Sequence, residues 1–438
     1  MYYMELGLGK AWKPMAIFFA VCLGLSSFLS GNGVQSNTIA DVMQTQFGVS
    51  PWMTGLAGAL IVGAVIIGGI TRIGRVAGVL APAMASVYVA GALFIIVLNL
   101  DLLLPSLALI VTEAFNPSAG IAGTGVGVFL VTALWGVRRG LFSNEAGLGS
   151  APIAHAAAQT DEPVSEGVVA LLGPFIDTIV ICTMTALVII MTGAWDDRSL
   201  TEIDLASGDL GFVEERADGR ITVFAGAPAE IRVVDGVPAE AGIGVPRLAW
   251  HQVAVDTLYA DPGLSDPFTG VIYPDRDEAV PAAGATLGVL YGQAVQNGAP
   301  LTMDAFRRGL PGNWGHYIVV LTVLLFAIST AIAWSYYGDR CAMYLFGDRA
   351  ILPYKLIFVV MHFLGAVAPL TVAWVLADVV LFVAAAPNLI AMVLLTGKVK
   401  EMTDSYFERE PWIENAEVRR RLMEERRRRR EERRRRRG

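Results

Sequence analysis

The chain is poor in the residues that build disulfide scaffolds, metal centres and catalytic constellations. It has 3 cysteines and 4 histidines in 438 residues. Charged residues make up 17% of it, where a soluble globular protein carries about 25%. Cys22, Cys182 and Cys341 all stand in or at the edge of apolar runs. An odd count without a pairing pattern excludes a disulfide framework, and no spacing fits a zinc site. The three cysteines therefore read as small buried hydrophobes. The histidines are far apart and no His-Glu-x-x-His is present. The nearest approach to a nucleophile elbow, Gly140-Leu141-Phe142-Ser143, lacks the Gly-x-Ser-x-Gly pattern. No nucleophile–base pair is found, so the sequence offers no support for an enzyme and calls for no cofactor.

What is abundant is apolar sequence. Hydrophobic residues are 54% of the chain and the mean hydropathy is +0.54. A helix needs roughly 20 residues to cross about 30 Å of hydrocarbon. Eight spans are expected: Met15–Ser30, Met53–Ile70, Ala77–Asn99, a fourth from Val126 to Trp135 that resumes at Ala151–Ala158, Gly167–Gly193, Tyr317–Tyr337, Ala350–Val367 and Val372–Thr396. The first could be a cleaved signal peptide. No small-residue cleavage site followed by a soluble domain appears, which favours a retained span. A polar stretch, Gly31 to Pro51, should follow it. Asp101 to Phe115 reads as an interfacial helix, shortened by Pro105 and ended by Asn116-Pro117. Pro369 should turn the chain between the last two spans, and Pro387-Asn388 should kink the eighth.

Charge divides the chain into four regions: a membrane part at 1–194, an insertion at 195–313, a second membrane part at 314–397, and a tail at 398–438. The insertion has 18 acidic residues against 8 basic ones, a balance of −10, and no lysine. Short β-branched runs at Arg220–Phe224 and Ile231–Val234 read as strands, and Asp-Gly at 218–219 and 235–236 are hairpin signals. The insertion contains one histidine, His251, and its carboxylates are too scattered for a metal cluster. The tail has 10 acidic residues against 16 basic ones, a balance of +6. Its run from Arg426 to Arg437 suits an arm that touches anionic lipid. Nucleic-acid binding, the other reading of a basic run, does not fit a multispan chain. Lysine and arginine accumulate in cytoplasmic loops. With eight spans, Lys10 and Lys13, Arg72 and Arg75, Arg340, Arg349, Lys355 and the tail fall on one side. The expected arrangement is therefore both termini in the cytoplasm and the acidic insertion outside.

Two polar clusters lie at membrane depth. One is Gly136–Ser150, which puts Arg138, Arg139, Ser143, Asn144 and Glu145 among four glycines where a span should continue. Such an interruption is tolerated in hydrocarbon only where it lines an enclosed cavity; the alternative is a helix end followed by a polar loop. The other is Ser329-Thr330, mid-span, with Thr330 four residues before Trp334 and so on its helix face. Adjacent hydroxyls suit a hard cation such as sodium; equally, such hydroxyls bond back to the preceding turn. Asp177, in the fifth span, is either a functional intramembrane carboxylate or one capped near the interface.

The run Arg139-Gly140-Leu141-Phe142-Ser143-Asn144-Glu145-Ala146-Gly147-Leu148-Gly149-Ser150-Ala151-Pro152-Ile153-Ala154 resembles the signature of the alanine or glycine:cation symporter family. So do Phe175-Ile176-Asp177-Thr178, Trp334-Ser335-Tyr336-Tyr337-Gly338 and Pro387-Asn388-Leu389-Ile390-Ala391, in the family's order. The resemblance implies an all-α polytopic membrane protein of LeuT-like (APC superfamily) inverted-repeat fold. Its β-containing insertion would be extracytoplasmic and longer than the corresponding loop of the family. The implied activity is sodium- or proton-coupled symport of alanine, glycine or a similar small amino acid across a bacterial inner membrane. Phe142, Ser143, Asn144, Glu145, Gly147 and Trp334 would then bind substrate, and Ser329 and Thr330 would bind sodium. Against the family's pattern, core helices three to ten are recognised and the first two are not, which would leave the sodium site incomplete. The competing reading is therefore a truncated, non-transporting fragment, or a scaffold whose insertion binds a partner.

Overall fold

The computed structural model describes residues 1–115, 136–137, 139–140, 142–160, 162–206, 210–215, 221–224, 226–240, 242–250, 253–368 and 370–412. Val126–Trp135, Asp218-Gly219, His251, Pro369 and the arginine run lie outside them. Helices α1 to α5 cover Tyr2–Leu8, Lys10–Phe47, Pro51–Ile66, Ile70–Leu98 and Leu103–Phe115. Helices α6 to α11 cover Ala151–His155, Pro163–Met191, Gly298–Gly309, His316–Phe346, Ile351–Val367 and Leu370–Arg409. Six stretches among the described residues are long and apolar enough to cross a membrane: α2, α4, α7, α9, Asp348–Val367 containing α10, and Leu376–Arg409 within α11. The described part is mostly helical and is the framework of a multi-pass membrane protein.

The expected first span is corrected. It does not end at Ser30, because helix continues to Phe47 through a π-helical segment, Leu29–Gly33. Two asparagines after Ser30 stay in helix with their amide donors taken up by carbonyls of α10 and the residue just past it. Asn32 Nδ2 donates to the Phe358 carbonyl at 2.8 Å, and Asn37 Nδ2 donates to those of Gly365 and Ala368 at 3.2 and 2.8 Å. Each such bond contributes about 1 kcal/mol net, and leaving the buried group unpaired costs about 1–3 kcal/mol.

The second span is also corrected. Helix α3 stops at Ile66, which makes it about 24 Å long at about 1.5 Å per residue. Gly68-Gly69 ends it, with Gly69 at φ 76. Arg72 reaches back from α4 to donate to the Ala64 carbonyl at 2.7 Å. Helix α4 accordingly begins at Ile70, not Ala77. The small residues of α3 let it lie directly on α10. A Cβ on Gly55 would stand 2.7 Å from that of Ala366, and one on Gly58 would stand 2.7 Å from His362 Nε2.

Helices α7, α9 and α11 extend beyond the expected Gly167–Gly193, Tyr317–Tyr337 and Val372–Thr396 at one or both ends, and α11 carries Pro387 in its interior. Three apolar cores among the described residues hold the helices together, one of them built from Val62 and Ile66 of α3, Ile73 of α4, Ala331 of α9 and Phe358 of α10. Phe19, Leu23 and Cys22 of α2 pack with Trp334 and Cys341 of α9 and with Leu381, Ala384 and Ala385 of α11. Tyr88, Ala92 and Ile95 of α4 pack with Phe306 of α8, Leu187 of α7 and Val319 of α9. Cys182 departs from the expectation of burial, for it is exposed, whereas Cys22 and Cys341 are buried.

Between α7 and α8 the chain forms strands β1 (Arg198–Asp204), β2 (Leu210–Glu215), β3 (Ile221–Val223), β4 (Ile231–Val234), β5 (Val237–Pro238) and β6 (Pro246–Trp250). They continue as β7 (Val253–Ala254), β8 (Leu258–Tyr259), β9 (Gly270–Tyr273), β10 (Glu278–Pro281) and β11 (Val289–Val295). The sheets have the orders β1-β11-β8, β10-β9-β4-β5 and β3-β2-β6-β7. The Asp-Gly at 235–236 makes a two-residue hairpin, with Val234 paired to Val237 and both turn residues at positive φ, 50 and 79. That is the type I′ geometry for which the dipeptide is suited. Helix α8 follows and docks its apolar face on α4. Phe306 stacks 5.3 Å from Tyr88, and its charged face pairs Asp304 with Arg308 at 2.7 Å.

Candidate functional site

The polar run at 136–150 interrupts the helix. Residues 142–144 are helical, Glu145–Ser150 are not, and helix resumes in α6 at Ala151. The path uses three positive φ values: Glu145 at 56, Gly147 at 78 and Gly149 at 85. Glycine takes that region freely. Glutamate does not, and a non-glycine residue held there costs about 1–3 kcal/mol, which the surroundings must offset.

They do so through side chains from several helices. Trp334 Nε1, on α9, donates to Glu145 Oε1 at 2.9 Å, and Ser150 Oγ donates to Glu145 Oε2. Asn388 Nδ2, on α11, donates to the Gly147 carbonyl at 2.7 Å. Ser143 Oγ donates to Asp177 Oδ2 at 2.6 Å, and Asn144 Nδ2 donates to Thr178 Oγ1 at 3.0 Å. Asp177 and Thr178 lie in a π-helical stretch of α7, Phe175–Cys182. Cys182 stands 3.9 Å from the Ser143 hydroxyl. On the other side Phe142 stacks 5.7 Å from Trp374 of α11. Arg139, whose guanidinium lies 5.1 Å from the Trp374 ring, pairs with Asp378 at 3.1 Å.

Trp334 links two irregular segments. Its N–H edge meets the break through Glu145. Its ring lies against Gly31 in the π-helical segment of α2, where an added Cβ would be 2.2 Å from Trp334 Cγ. Bulges of this kind are frequent at functional sites. Beside Gly31, His362 Nδ1 stands 2.6 Å from Asn32 Oδ1. An amide oxygen only accepts, so the imidazole is the donor in that bond, while Asn32 Nδ2 donates to the Phe358 carbonyl.

Phe142, Ser143, Asn144, Glu145 and Gly147 share one segment, and Trp334 joins them through Glu145. The hydroxyl pair is different. Ser329 donates to its own helix, at the Phe326 carbonyl 2.9 Å away, and turns toward Met84 Sδ of α4 at 3.8 Å. It does not join the Glu145–Trp334 cluster. Thr330 is half-buried on the Trp334 face. Among the described residues no group of three or more His, Cys, Asp or Glu gathers to hold a metal ion. Tyr3, Asn32 and His362 carried no sequence signal for a place near the site. Asn388 carried one, its motif, but no role.

The chain matches the model of the sodium:alanine symporter family at residues 1–214 and 280–419, leaving 215–279 of the insertion unmatched. It is 34% identical over 411 residues to the sodium/alanine symporter AgcS of Methanococcus maripaludis, a match that covers 93% of this chain and 69% of the relative. It is 33% identical over 411 residues to a transporter of Haemophilus influenzae, covering 93% and 68%. A putative sodium/proton-dependent alanine carrier protein of Bacillus subtilis, YrbD, is 30% identical over 398 residues, covering 90% and 64%.

Proposed function

From the premise that the chain belongs to the sodium:alanine symporter family, we propose that it is a secondary transporter driving symport of alanine, glycine or a similar small amino acid with sodium, or with protons in its place. The substrate site in this reading is the break: Phe142, Ser143, Asn144, Glu145 and Gly147, with Trp334 facing them. The observation that carries it is the bond from Trp334 to a glutamate held at positive φ in the middle of an interrupted helix. Interrupted helices free backbone groups inside the membrane for substrate and ion. Glu145 can accept a substrate ammonium while backbone amides freed at the break meet its carboxylate. The family's activity favours this reading over a partner-binding scaffold.

The ion reading places sodium at Ser329 and Thr330. It rests on Thr330, because the Ser329 hydroxyl is committed to the Phe326 carbonyl. The fold in this reading is the LeuT-like inverted repeat, with regions 1–194 and 314–397 as the transporter core. Region 195–313 is then extracytoplasmic, and the basic region 398–438 lies against anionic lipid in the cytoplasm of a cell whose inner membrane holds the protein. The asymmetry of arginine and lysine between the loops supports that orientation.

Sodium-gradient-driven uptake of labelled alanine into proteoliposomes tests the activity, and the absence of any sodium-stimulated uptake rejects it. Thr330→Val is expected to abolish sodium stimulation without loss of folded protein. An unchanged sodium dependence would sink the ion assignment.

A further inference from the structure

One side chain outside the set read from the sequence grips the break. Asn388 is 2% exposed, in the middle of α11 and directly after Pro387. Every polar group of its amide is engaged. One Nδ2 hydrogen goes to the Gly147 carbonyl at 2.7 Å, and Met392 Sδ lies 3.4 Å from the same nitrogen. Its Oδ1 accepts from the hydroxyl of Tyr3, in α1. The break is also shaped around this residue: a Cβ on Gly149, at φ 85, would stand 2.9 Å from Asn388 Cγ and 2.7 Å from Phe19 Cζ.

Gly147 sits where the helix is interrupted, so its carbonyl needs a partner from elsewhere in the apolar bundle. Only a group that donates and accepts at once can serve that carbonyl and the Tyr3 hydroxyl together. A primary amide does this, and an aliphatic side chain of the same size can do neither. If the Tyr3 hydroxyl is removed, Oδ1 becomes a buried acceptor without a donor, and the amide gains by turning away from Gly147.

We propose that Asn388 is a positioning residue, which fixes the Gly147 carbonyl within the break and makes that hold depend on Tyr3 of α1. A displacement of α1 then reaches the break through one amide. Its consequence for transport rests on the reading of the break as the substrate site; its consequence for the backbone does not.

The test has two arms on the full chain in lipid nanodiscs or proteoliposomes. Hydrogen exchange is followed on peptides covering 142–155, which include the Leu148 amide bonded to the Glu145 carbonyl and the Ile153 amide bonded to that of Ser150. Asn388→Leu, close in size but unable to donate or accept, is expected to speed exchange there by about tenfold, the scale set by leaving one buried partner unpaired. Tyr3→Phe, a milder change that keeps the ring, is expected to speed it several-fold. The double variant should match Asn388→Leu alone, because both changes act through one bond. Exchange elsewhere should not change. In uptake, both variants should raise the KM for labelled alanine with little change in maximal rate.

Unchanged exchange in Tyr3→Phe overturns the link to α1, and unchanged exchange in Asn388→Leu overturns the grip itself. Faster exchange throughout the bundle, with KM and maximal rate worsening together, also overturns the proposal, since that is the signature of a structural role alone. If the unaltered chain takes up no alanine, the transport reading fails while the exchange arm still decides the role of Asn388.

Discussion

Two helix interruptions among the described residues differ in kind. In α2 the π-helical segment Leu29–Gly33 keeps the helix going, and its amide side chain, Asn32, is held by Phe358 and His362 of a single neighbour, α10. At Glu145–Ser150 the helix stops, three residues take positive φ, and partners converge from α7, α9 and α11. The bulge is a packing solution that needs one neighbour. The break exposes backbone groups that no single neighbour can satisfy, so several helices must agree on its shape. That makes the break the place where movement of any one helix is felt, while the bulge supplies a flat glycine surface against which Trp334 is steadied.

Adding one methyl tests the contrast most severely. Gly149→Ala forces a side chain into left-handed backbone and against Phe19 and Asn388, and Gly31→Ala drives a Cβ into the indole of Trp334. Overpacking alone costs about 1–3 kcal/mol, and Gly149 adds the penalty for φ 85. Alanine uptake should fall to background in Gly149→Ala. Gly31→Ala should retain a folded protein with Trp334 displaced, seen as altered tryptophan emission. Normal uptake in Gly149→Ala would mean that the break's shape is not essential.

Removing a single donor should have a smaller effect that differs between the two interruptions. Trp334→Phe keeps a ring on Gly31 but leaves Glu145 Oε1 without its donor, at about 1–3 kcal/mol. Here the KM for alanine should rise about tenfold. Asn32→Ala removes two bonds at the bulge, to Phe358 and His362, and should lower the thermal midpoint without changing KM. If Asn32→Ala shifts KM as much as Trp334→Phe does, the bulge is part of the site and the contrast between the two interruptions fails.

The break was legible because its signal is local. Charged and amide side chains among glycines, between two apolar runs, have few other uses inside a membrane, and Gly147 and Gly149 mark the left-handed positions. The Asp235-Gly236 turn was legible for the same reason. The bulge was not. Asn32 and Asn37 read only as part of a polar stretch because their carbonyl partners lie more than 300 residues away, on and just after α10. The role of Asn388 was hidden likewise, since its bond to Gly147 spans 241 residues. The Ser329-Thr330 spacing placed both hydroxyls mid-helix but could not show that Ser329 turns back on Phe326. Cys182 looked like core because its neighbours are apolar, yet the side of α7 that carries it is exposed.

The smallest effect concerns the exit from the break. Glu162, after α6, takes both arms of the Arg409 guanidinium at 2.7 and 2.9 Å, which ties this segment to the end of α11. The bulge in α2 shows no such outward tie among the described residues. The hydrogen bond from Arg409 holds the Glu162 carboxyl below the usual carboxylate range. A depressed folded-state pKa means that the pair stabilises fully above the unfolded value, about 4.3. That contribution is lost as pH falls through the lower folded-state value. Both groups are solvent-exposed and the pair is screened, so the gain is small. Thermal midpoints of the unaltered chain and Glu162→Gln should differ slightly at pH 7 in low salt and converge as the solution is acidified through the carboxylate range. Added salt should shrink the pH 7 difference. A difference that persists in acid, where Glu162 is protonated, would show that the glutamate acts by packing, and the tie between the break and α11 would not be electrostatic.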